Sequence, residues 1–253
     1  MIIDGKTLAA NVREGLKSEV QELKDKGIIP NLAVILVGED KPSQIYVKNK
    51  SKACLEIGIK YEEFLLDSNT TMEQLLSLID TLNEREDIHG ILLQSPKHLN
   101  IDEAFERISP KKDVDGFNPV NVGKLCLKQD GFISCTPAGI MKMFEKYKIS
   151  LEGKNAVVLG RSNIVGKPMS LCLLNKDSTV TICHSKTQNL SEITKNADII
   201  VVALGKPKFL TKDMVKEGAV VIDVGINRTE NGIIGDVDFE SVKEIASYIT
   251  PVP

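Results

Sequence analysis

Hydrophobic residues recur along the chain with two different spacings. Between residues 7 and 26 they lie three or four positions apart, as on one face of an amphipathic helix. That stripe comprises Leu8, Val12, Leu16, Val20 and Leu23. Residues 32–37 are instead apolar without interruption, which is typical of a strand buried in a parallel sheet. Both patterns return further along the chain, so helices and strands are expected to alternate.

The same patterns place the other elements. Ser43 is expected to cap the second helix, and Thr70 or Thr71 the third. Residues 118–136 are expected to form a turn-rich connection. Helices are predicted at 7–26, 43–57, 72–82, 101–108, 137–147, 169–175 and 191–196, and strands at 32–37, 59–66, 89–94, 156–159, 179–183, 198–203 and 219–224, the last clear strand.

Strands that alternate with helices imply parallel sheets with right-handed crossovers. We therefore predict an α/β protein of two α/β domains, residues 1–120 and residues 121–253. The second is expected to resemble a Rossmann dinucleotide-binding domain.

Composition narrows the class of protein. A net charge of −3 gives no footprint for nucleic acid or an anionic membrane. The five cysteines form no CxxC pair, which favours reduced, buried thiols in the cytoplasm. The three histidines lack metal-ligand spacing, and no apolar run approaches the ~18 residues of a membrane span. The start of the chain also lacks the charged region of a signal peptide. We predict a cytoplasmic protein without a metal.

A glycine turn at residues 155–168 is the first candidate site. A short apolar strand ends at Gly160, the polar residues Arg161 and Ser162 follow, and Gly166 and Pro168 open the next helix. Free N–H groups and the helix dipole at such a turn favour a phosphate. The spacing is G-x5-G and not the usual G-x-G-x-x-G, so an ordinary strand–helix turn is an equal alternative.

The end of the next strand bears on the choice of nucleotide. NAD-binding domains place an acidic residue there to hold the ribose 2′-hydroxyl. Residues 181–187 contain none, whereas Arg161 and Lys186 are cations that suit a 2′-phosphate. This favours NADP over NAD. The alternative is that both cations are solvated surface charges.

The second helix contains an unusually placed lysine. Tyr46, Lys50, Ala53 and Ile57 fall on one face of it, whereas Lys48 and Lys52 point elsewhere. Burial disfavours an ammonium group, so a lysine on such a face is a candidate general acid and base. The alternative is a lysine that extends its charged end to water.

Two further polar positions accompany Lys50. Gln94 ends a strand, where α/β sheets place ligand groups, and could orient a polar substrate or water. Asp113 and Asp115 lie in a loop before the domain junction, where no further ligands complete a metal site. One of these carboxylates could accept hydrogen bonds from an amino-pyrimidine ring. A turn or helix-cap role is equally open.

Five segments in this order resemble the bifunctional methylenetetrahydrofolate dehydrogenase/methenyltetrahydrofolate cyclohydrolase family over essentially the whole chain: residues 43–52, 90–96, 110–117, 160–168 and 249–253. The resemblance implies oxidation of 5,10-methylene-tetrahydrofolate with NADP to the 5,10-methenyl form, then hydrolysis to 10-formyl-tetrahydrofolate. It also implies a homodimer of two-domain subunits with the folate cleft between the domains.

The resemblance also assigns roles to individual residues. Lys50 takes the position of the catalytic lysine, Tyr46 packs against the folate, Gln94 tunes the lysine and Asp115 binds the pterin. The cofactor-binding positions are Gly160, Arg161 and Ser162 in the dinucleotide turn, Ser185 beside the 2′-phosphate, and Ile226 near the nicotinamide.

Three features depart from the family pattern. Ser95, Lys97 and His98 follow Gln94 where a leucine- and proline-rich loop is usual, and Lys97 or His98 is expected to meet the glutamate tail of the substrate. Leu204 stands where a smaller or hydroxylated residue is usual, which could alter the nicotinamide contacts. The family also continues past the position of Pro253 into a glycine-rich loop and a helix that this sequence does not include.

Other functions remain open at this point. One activity alone could be retained. The chain could also be a folate- or nucleotide-binding protein without catalysis, against which Lys50, Gln94 and Asp115 together argue. A different NADP-dependent Rossmann oxidoreductase, such as a shikimate dehydrogenase, is disfavoured by the lysine-bearing helix and the Asp113–Asp115 loop.

Overall fold

The computed structural model describes residues 1–38, 41–94, 99, 101–230 and 232–253, with the backbone alone at 41–43, 45 and 46. The chain forms two compact units. The N-terminal unit is residues 9–135, and the C-terminal unit is residues 1–8 together with 136–253. This division comes later in the chain than the boundary predicted near residue 120. The binding roles predicted for the two ranges stay predictions.

The first eight elements, in chain order, are α1 (Gly5–Asp25), β1 (Asn31–Val37), α2 (Lys41–Ile57), β2 (Lys60–Leu66), α3 (Met72–Glu84), β3 (Gly90–Gln94), α4 (Ile101–Arg107) and α5 (Pro119–Cys126). The three strands form a parallel sheet in the order β2-β1-β3. The central strand β1 is buried along nearly its whole length, as its uninterrupted apolar sequence requires.

The following elements are α6 (Cys135–Lys146), β4 (Asn155–Leu159), α7 (Gly166–Leu174), β5 (Thr179–Cys183), α8 (Leu190–Lys195), β6 (Ile199–Val202), a 3-10 helix (Lys212–Met214), β7 (Val220–Asp223), β8 (Asn227–Thr229), β9 (Gly232–Ile234), α9 (Phe239–Val242) and β10 (Tyr248–Ile249). Five strands form a parallel sheet in the order β10-β7-β6-β4-β5. The pair β8-β9 is an antiparallel hairpin.

Each unit has its own hydrophobic core. In the N-terminal unit, Ile35 and Ile91 pack with Leu75 and Ile79 of α3. In the C-terminal unit the core is built on the central strands β4, β6 and β7. The predicted α/β class with parallel sheets is confirmed. Along the described part of the chain, no helix has the length and apolar character needed to cross a membrane.

Three local predictions need correction. The eight-residue helix α5 lies where a turn-rich connection was predicted. The side chain of Asn118 accepts a hydrogen bond from the Val120 N–H and so caps this helix. Ser43 lies inside α2, which already begins at Lys41, so it does not cap that helix. Strands β8, β9 and β10 follow the strand predicted to be the last clear one.

The remaining elements begin and end within about three residues of their predicted positions. Thr71 caps α3, as one of the two predicted alternatives, through a reciprocal capping box with Gln74. The stripe of α1 predicted the helix but not its burial. Val20 is buried, whereas Val12 and Leu23 are exposed.

Candidate active site

Lys50 lies on the inner face of α2. Val47 and Ile57 on that face are buried, and Lys50 and Cys54 are half-buried. Lys48 and Lys52 are exposed. Burial raises the pKa of the Cys54 thiol, and the nearby charge of Lys50 opposes that rise. Lys50 is therefore held against protein while its neighbouring lysines point to water.

The loop that carries Asp115 is anchored by the lysine three positions earlier. The ammonium of Lys112 donates hydrogen bonds to the carbonyl oxygens of Leu82 (3.0 Å), Asn83 (2.7 Å) and Arg85 (2.7 Å) at the end of α3. A cation at this end of a helix satisfies carbonyls that have no partner within the helix. Lys112 therefore fixes the loop to the end of α3.

Asp113 has a structural role in the same loop. This buried carboxylate accepts hydrogen bonds from the N–H groups of Phe117 (3.2 Å) and Asn118 (2.9 Å) and from the amide of Asn121 (2.8 Å). These bonds hold the start of α5 against the loop. Of the two aspartates singled out in the sequence, Asp113 takes the capping and turn role. The ligand role of Asp115 stays a prediction.

Asp115 follows a stretch that runs beside β3. Asp113 pairs with Ile91 in a parallel bridge, so Asp115, two residues on, is level with the carboxyl end of β3, where Gln94 is half-buried. Burial raises the pKa of Asp115 above its ordinary value, whereas the charge of Lys50 and a hydrogen bond from Cys135 lower it. The fold thus brings Lys50 within electrostatic reach of Asp115.

Cys135 is a neighbour of Asp115 that the sequence did not indicate. Its sulfur lies 3.6 Å from Oδ1 of Asp115 and 3.5 Å from the carbonyl oxygen of Val114. Although Cys135 keeps exposed surface, the surrounding protein and then the charge of Asp115 raise the pKa of its thiol to about 11. Cys135 is therefore a neutral hydrogen-bond donor and not a nucleophile.

Two sequence predictions lie beyond what the structure describes at this site. Residues 95–98 are outside the described residues, so the expectations for Ser95, Lys97 and His98 stay predictions. The side chain of Tyr46 is also outside them, although its backbone belongs to α2. All five cysteines are free, but Cys126 and Cys135 are exposed, which corrects the expectation of buried thiols.

The glycine turn of the C-terminal unit depends on the absence of two side chains. Gly160 has a φ of +125°, and a Cβ there would overlap the carbonyl oxygen of Ala203. A Cβ on Gly166 would overlap the carbonyl oxygen of Gly160. Tight turning and close helix–strand packing are what glycines provide in dinucleotide-binding turns, so the residues present fit such a cofactor.

Ser162 is part of the turn itself. Its hydroxyl accepts hydrogen bonds from the N–H groups of Val165 and Gly166, both at 3.2 Å. The sequence predicted free N–H groups at the start of α7, whereas these two are satisfied internally. Arg161 and Ser162 are both exposed.

The turn that follows β5 lies next to the glycine turn. The Gly160 N–H donates to the carbonyl oxygen of Cys183 at 2.9 Å, so Arg161 and Ser185 follow the ends of neighbouring strands. His184 and Thr187 close this turn through backbone and side-chain hydrogen bonds. Ser185 remains exposed, and no acidic residue occupies positions 184–187.

Ile226 lies at the same end of the sheet, after β7. It is 56% exposed, although it is apolar. Leu204, which follows β6, is half-buried. In the described residues, no three His, Cys, Asp or Glu side chains are placed to hold a metal ion.

A parallel five-stranded sheet carries a glycine turn after β4, one of its inner strands. The other α/β unit places a lysine within electrostatic reach of a half-buried carboxylate. Together these features define a dinucleotide-dependent enzyme of two α/β units. Comparison with known protein families identifies the family of this enzyme. The tetrahydrofolate dehydrogenase/cyclohydrolase catalytic domain matches residues 3–115, and the NAD(P)-binding domain of the same family matches residues 134–253. The chain belongs to the tetrahydrofolate dehydrogenase/cyclohydrolase family.

Individual relatives of known family match the whole length of this chain. The bifunctional protein FolD of Campylobacter hominis is 58% identical over 255 residues, which cover 100% of this chain and 90% of the relative. The crystal structure of the bifunctional enzyme FolD from Campylobacter jejuni is 54% identical, with a TM-score of 0.98 over 100% of this chain and 91% of that one. The Trypanosoma brucei FolD structure, complexed with NADP cofactor and an inhibitor, is 36% identical, with a TM-score of 0.94 over 100% and 90%.

These findings confirm the predicted family and the presence of its NAD(P)-binding domain. They also confirm the predicted pair of activities, dehydrogenase and cyclohydrolase. They do not favour the shikimate dehydrogenase alternative or a protein without catalysis. The roles predicted for individual site residues stay predictions, which the geometry around Lys50 and Gly160 now supports.

Proposed function

We propose that this protein oxidises 5,10-methylene-tetrahydrofolate with NADP and hydrolyses the resulting 5,10-methenyl-tetrahydrofolate to 10-formyl-tetrahydrofolate. The observation that carries the proposal is the placement of Lys50 within electrostatic reach of Asp115, in the unit that matches the family's catalytic domain. The folate therefore binds to the N-terminal unit and the dinucleotide to the glycine turn of the C-terminal unit.

In the hydrolysis, Lys50 moves protons. Water attacks the methenyl carbon between N5 and N10, and Lys50 accepts the proton that the water loses. The hydroxyl of the adduct then loses its proton and becomes the formyl C=O as the bond from that carbon to N5 breaks. N5 takes a proton, the formyl group stays on N10, and one proton is released overall. Gln94 orients the water or the ring, and it cannot fix Lys50 in its charged form because its amide is neutral.

Asp115 binds the pterin. A carboxylate accepts hydrogen bonds from the amino-pyrimidine ring, and such charge-assisted bonds are stronger than neutral ones. Cys135 donates to the same carboxylate and leaves other lone pairs of it for the substrate. In this proposal the family's aromatic residue, Tyr46, packs on the face of the folate.

In the oxidation, the protein binds and orients. The methylene carbon gives up a hydride readily because the neighbouring nitrogen lone pairs stabilise the cation, so no strong base is needed. The nicotinamide ring, when bound, supplies the hydride acceptor. Gly160 and Gly166 shape the turn for the pyrophosphate, and Ile226 provides an apolar contact on the nicotinamide side.

The preference for NADP rests on the end of β5. Ser185 and Arg161 follow adjacent strands and are exposed, and a carboxylate that would repel a 2′-phosphate is missing from positions 184–187. Ser185→Asp should raise the KM for NADP much more than the KM for NAD. An unchanged ratio of the two KM values would contradict this assignment.

The proposed protein is a homodimer located in the cytoplasm. Strand β5 lies at the edge of its sheet and exposes Thr179, Thr181 and the apolar Ile182, a surface that can pair with the same strand of a second copy. Free thiols suit a reducing compartment. Ile182→Glu should give a monomer by light scattering, whereas Leu65→Glu, at an exposed site on β2, should not.

One assay tests the reaction sequence. The protein is incubated with methylene-tetrahydrofolate and NADP, and the absorbance of the methenyl form is followed beside that of the reduced cofactor. Reduced cofactor should accumulate while the methenyl form is consumed. No change in either absorbance would contradict the proposal, and a methenyl form that accumulates without hydrolysis would leave the dehydrogenase alone.

A further inference from the structure

A buried carboxylate holds two loops of the C-terminal unit together. Asp236 is fully buried, and its Oδ2 accepts hydrogen bonds from the N–H groups of Leu204 (2.6 Å) and Gly205 (2.8 Å). Its Oδ1 accepts from the N–H of Lys206 and the side-chain amide of Asn227, both at 2.8 Å. One side chain thus fixes the loop after β6 and the first residue of β8.

A second carboxylate fixes the segment that carries Asp236. Asp223, at the end of β7, accepts hydrogen bonds from the N–H groups of Gly225, Asp236 and Val237, each at 2.9 Å. Gly225 and Gly235 are pressed so closely against the two carboxylates that a Cβ at either position would overlap one of them. The loops on both sides of the carboxylate pair therefore have little freedom to shift.

These loops lie where a dinucleotide domain binds its ligand. They follow the carboxyl ends of β6 and β7, and β6 is the neighbour of β4, which leads into the glycine turn. The loop after β6 carries Leu204, and the segment between β7 and β8 carries the exposed Ile226. Asp236 itself is fully buried, so it acts only through the backbone N–H groups and the Asn227 amide that it binds.

We propose that Asp236 is a positioning residue for the nicotinamide end of the cofactor. It holds the backbone of residues 204–206 and the side-chain amide of Asn227 in one arrangement, so that Leu204 and Ile226 face the ring in a fixed geometry. This inference rests on the proposed function of the same unit. Asp236→Asn replaces one acceptor oxygen with an amide NH2 that faces backbone N–H donors. It therefore removes hydrogen bonds from this arrangement without changing the size of the side chain.

The two activities of the protein provide the test. Hydrolysis of added methenyl-tetrahydrofolate without NADP depends on the N-terminal unit, whereas oxidation needs both units. Asp236→Asn should lower kcat/KM of the dehydrogenase by about 10- to 100-fold, because small misplacements of reacting groups cost this much. The cyclohydrolase rate per mole of folded protein should be unchanged. Asp213→Asn, which neutralises an exposed carboxylate bonded to Thr211 at the surface, is the control and should keep both rates.

Each outcome has a defined meaning. A wild-type protein without dehydrogenase activity would contradict the proposed function itself. An active wild-type protein whose Asp236→Asn variant retains its dehydrogenase rate, or loses both activities in equal proportion, would overturn the positioning role alone. If Asp236→Asn does not fold, Asn227→Ala tests the positioning role instead, because it removes one of the four hydrogen bonds that Asp236 accepts. Asn227→Ala should lower the dehydrogenase rate selectively. An unchanged ratio of the two rates would overturn the proposal.

Discussion

Glu62→Gln is predicted to destabilise the N-terminal unit at neutral pH. The carboxylate accepts two hydrogen bonds from Arg85 (2.8 and 3.0 Å) and one from Asn31 (2.8 Å), and Lys60 lies 2.8 Å away. Hydrogen bonds from Arg85 first, then from Lys60 and Asn31, lower the pKa of Glu62 from 4.5 to about 2. That fall corresponds to at most about 3 kcal/mol of folding free energy.

Solvent reduces this value. The side chains of Glu62 and Arg85 are 23% and 32% exposed, so water screens the pair. We expect Glu62→Gln to lower the free energy of unfolding by about 1–2 kcal/mol at pH 7. Because the folded-state pKa is depressed, this stabilisation is complete above pH 4.5 and is lost progressively as the pH falls through about 2.

Urea unfolding of the wild type and of Glu62→Gln at pH 7 and pH 3 measures this dependence. The difference between the two proteins should fall to less than about half its neutral value at pH 3. Glu63→Gln, an exposed neighbour on the same strand, is the matched control and should cost little at either pH. A difference that does not change with pH, or an equal cost for the control, would show that the charged contacts of Glu62 do not stabilise the unit.

Two other predictions concern the frames of the two sites. Gly160→Ala should weaken NADP binding strongly and lower the Tm, because alanine is strained at a φ of +125° and its Cβ would overlap Ala203. Hydrolysis per mole of folded protein should persist. Calorimetric titration with NADP and the two activity assays measure these effects, and a normal NADP affinity would contradict the prediction. Lys112→Met should lower the free energy of unfolding by about 2–4 kcal/mol, because three hydrogen bonds to carbonyl oxygens are lost. It should also raise the KM for folate, because the Asp115 loop loses its anchor. Lys111→Met, at an exposed neighbouring residue, is the control, and an equal loss of stability in both variants would contradict the anchoring role.

Most strands and helices could be predicted because their signals are local. The apolar run of β1 and the Thr71–Gln74 capping box act over a few residues and are not altered by packing. The short helix α5 was missed because its position depends on Asn118, whose amide bonds to carbonyl oxygens ten or more residues away. Such long-range contacts have no periodic trace in the sequence.

The candidate site was predictable in its parts but not in its arrangement. The motifs around Lys50, Gln94 and Asp115 are recognisable as short segments, and the residue type of each suggests its chemistry. The contact of Cys135 with Asp115 and the bonds of Asp236 to residues 204–206 join positions 20 and at least 30 apart. They arise only when the sheets have formed.

Whether Lys50 moves the proton in the hydrolysis is measured by the rate at which Lys50→Met hydrolyses methenyl-tetrahydrofolate. The variant is compared with wild type and with Lys52→Met, whose lysine is exposed on the same helix. Lys50→Met is expected to lose hydrolysis while Lys52→Met retains it, with both variants folded to the wild-type extent. Hydrolysis by Lys50→Met at the wild-type rate would contradict a proton-transfer role for Lys50.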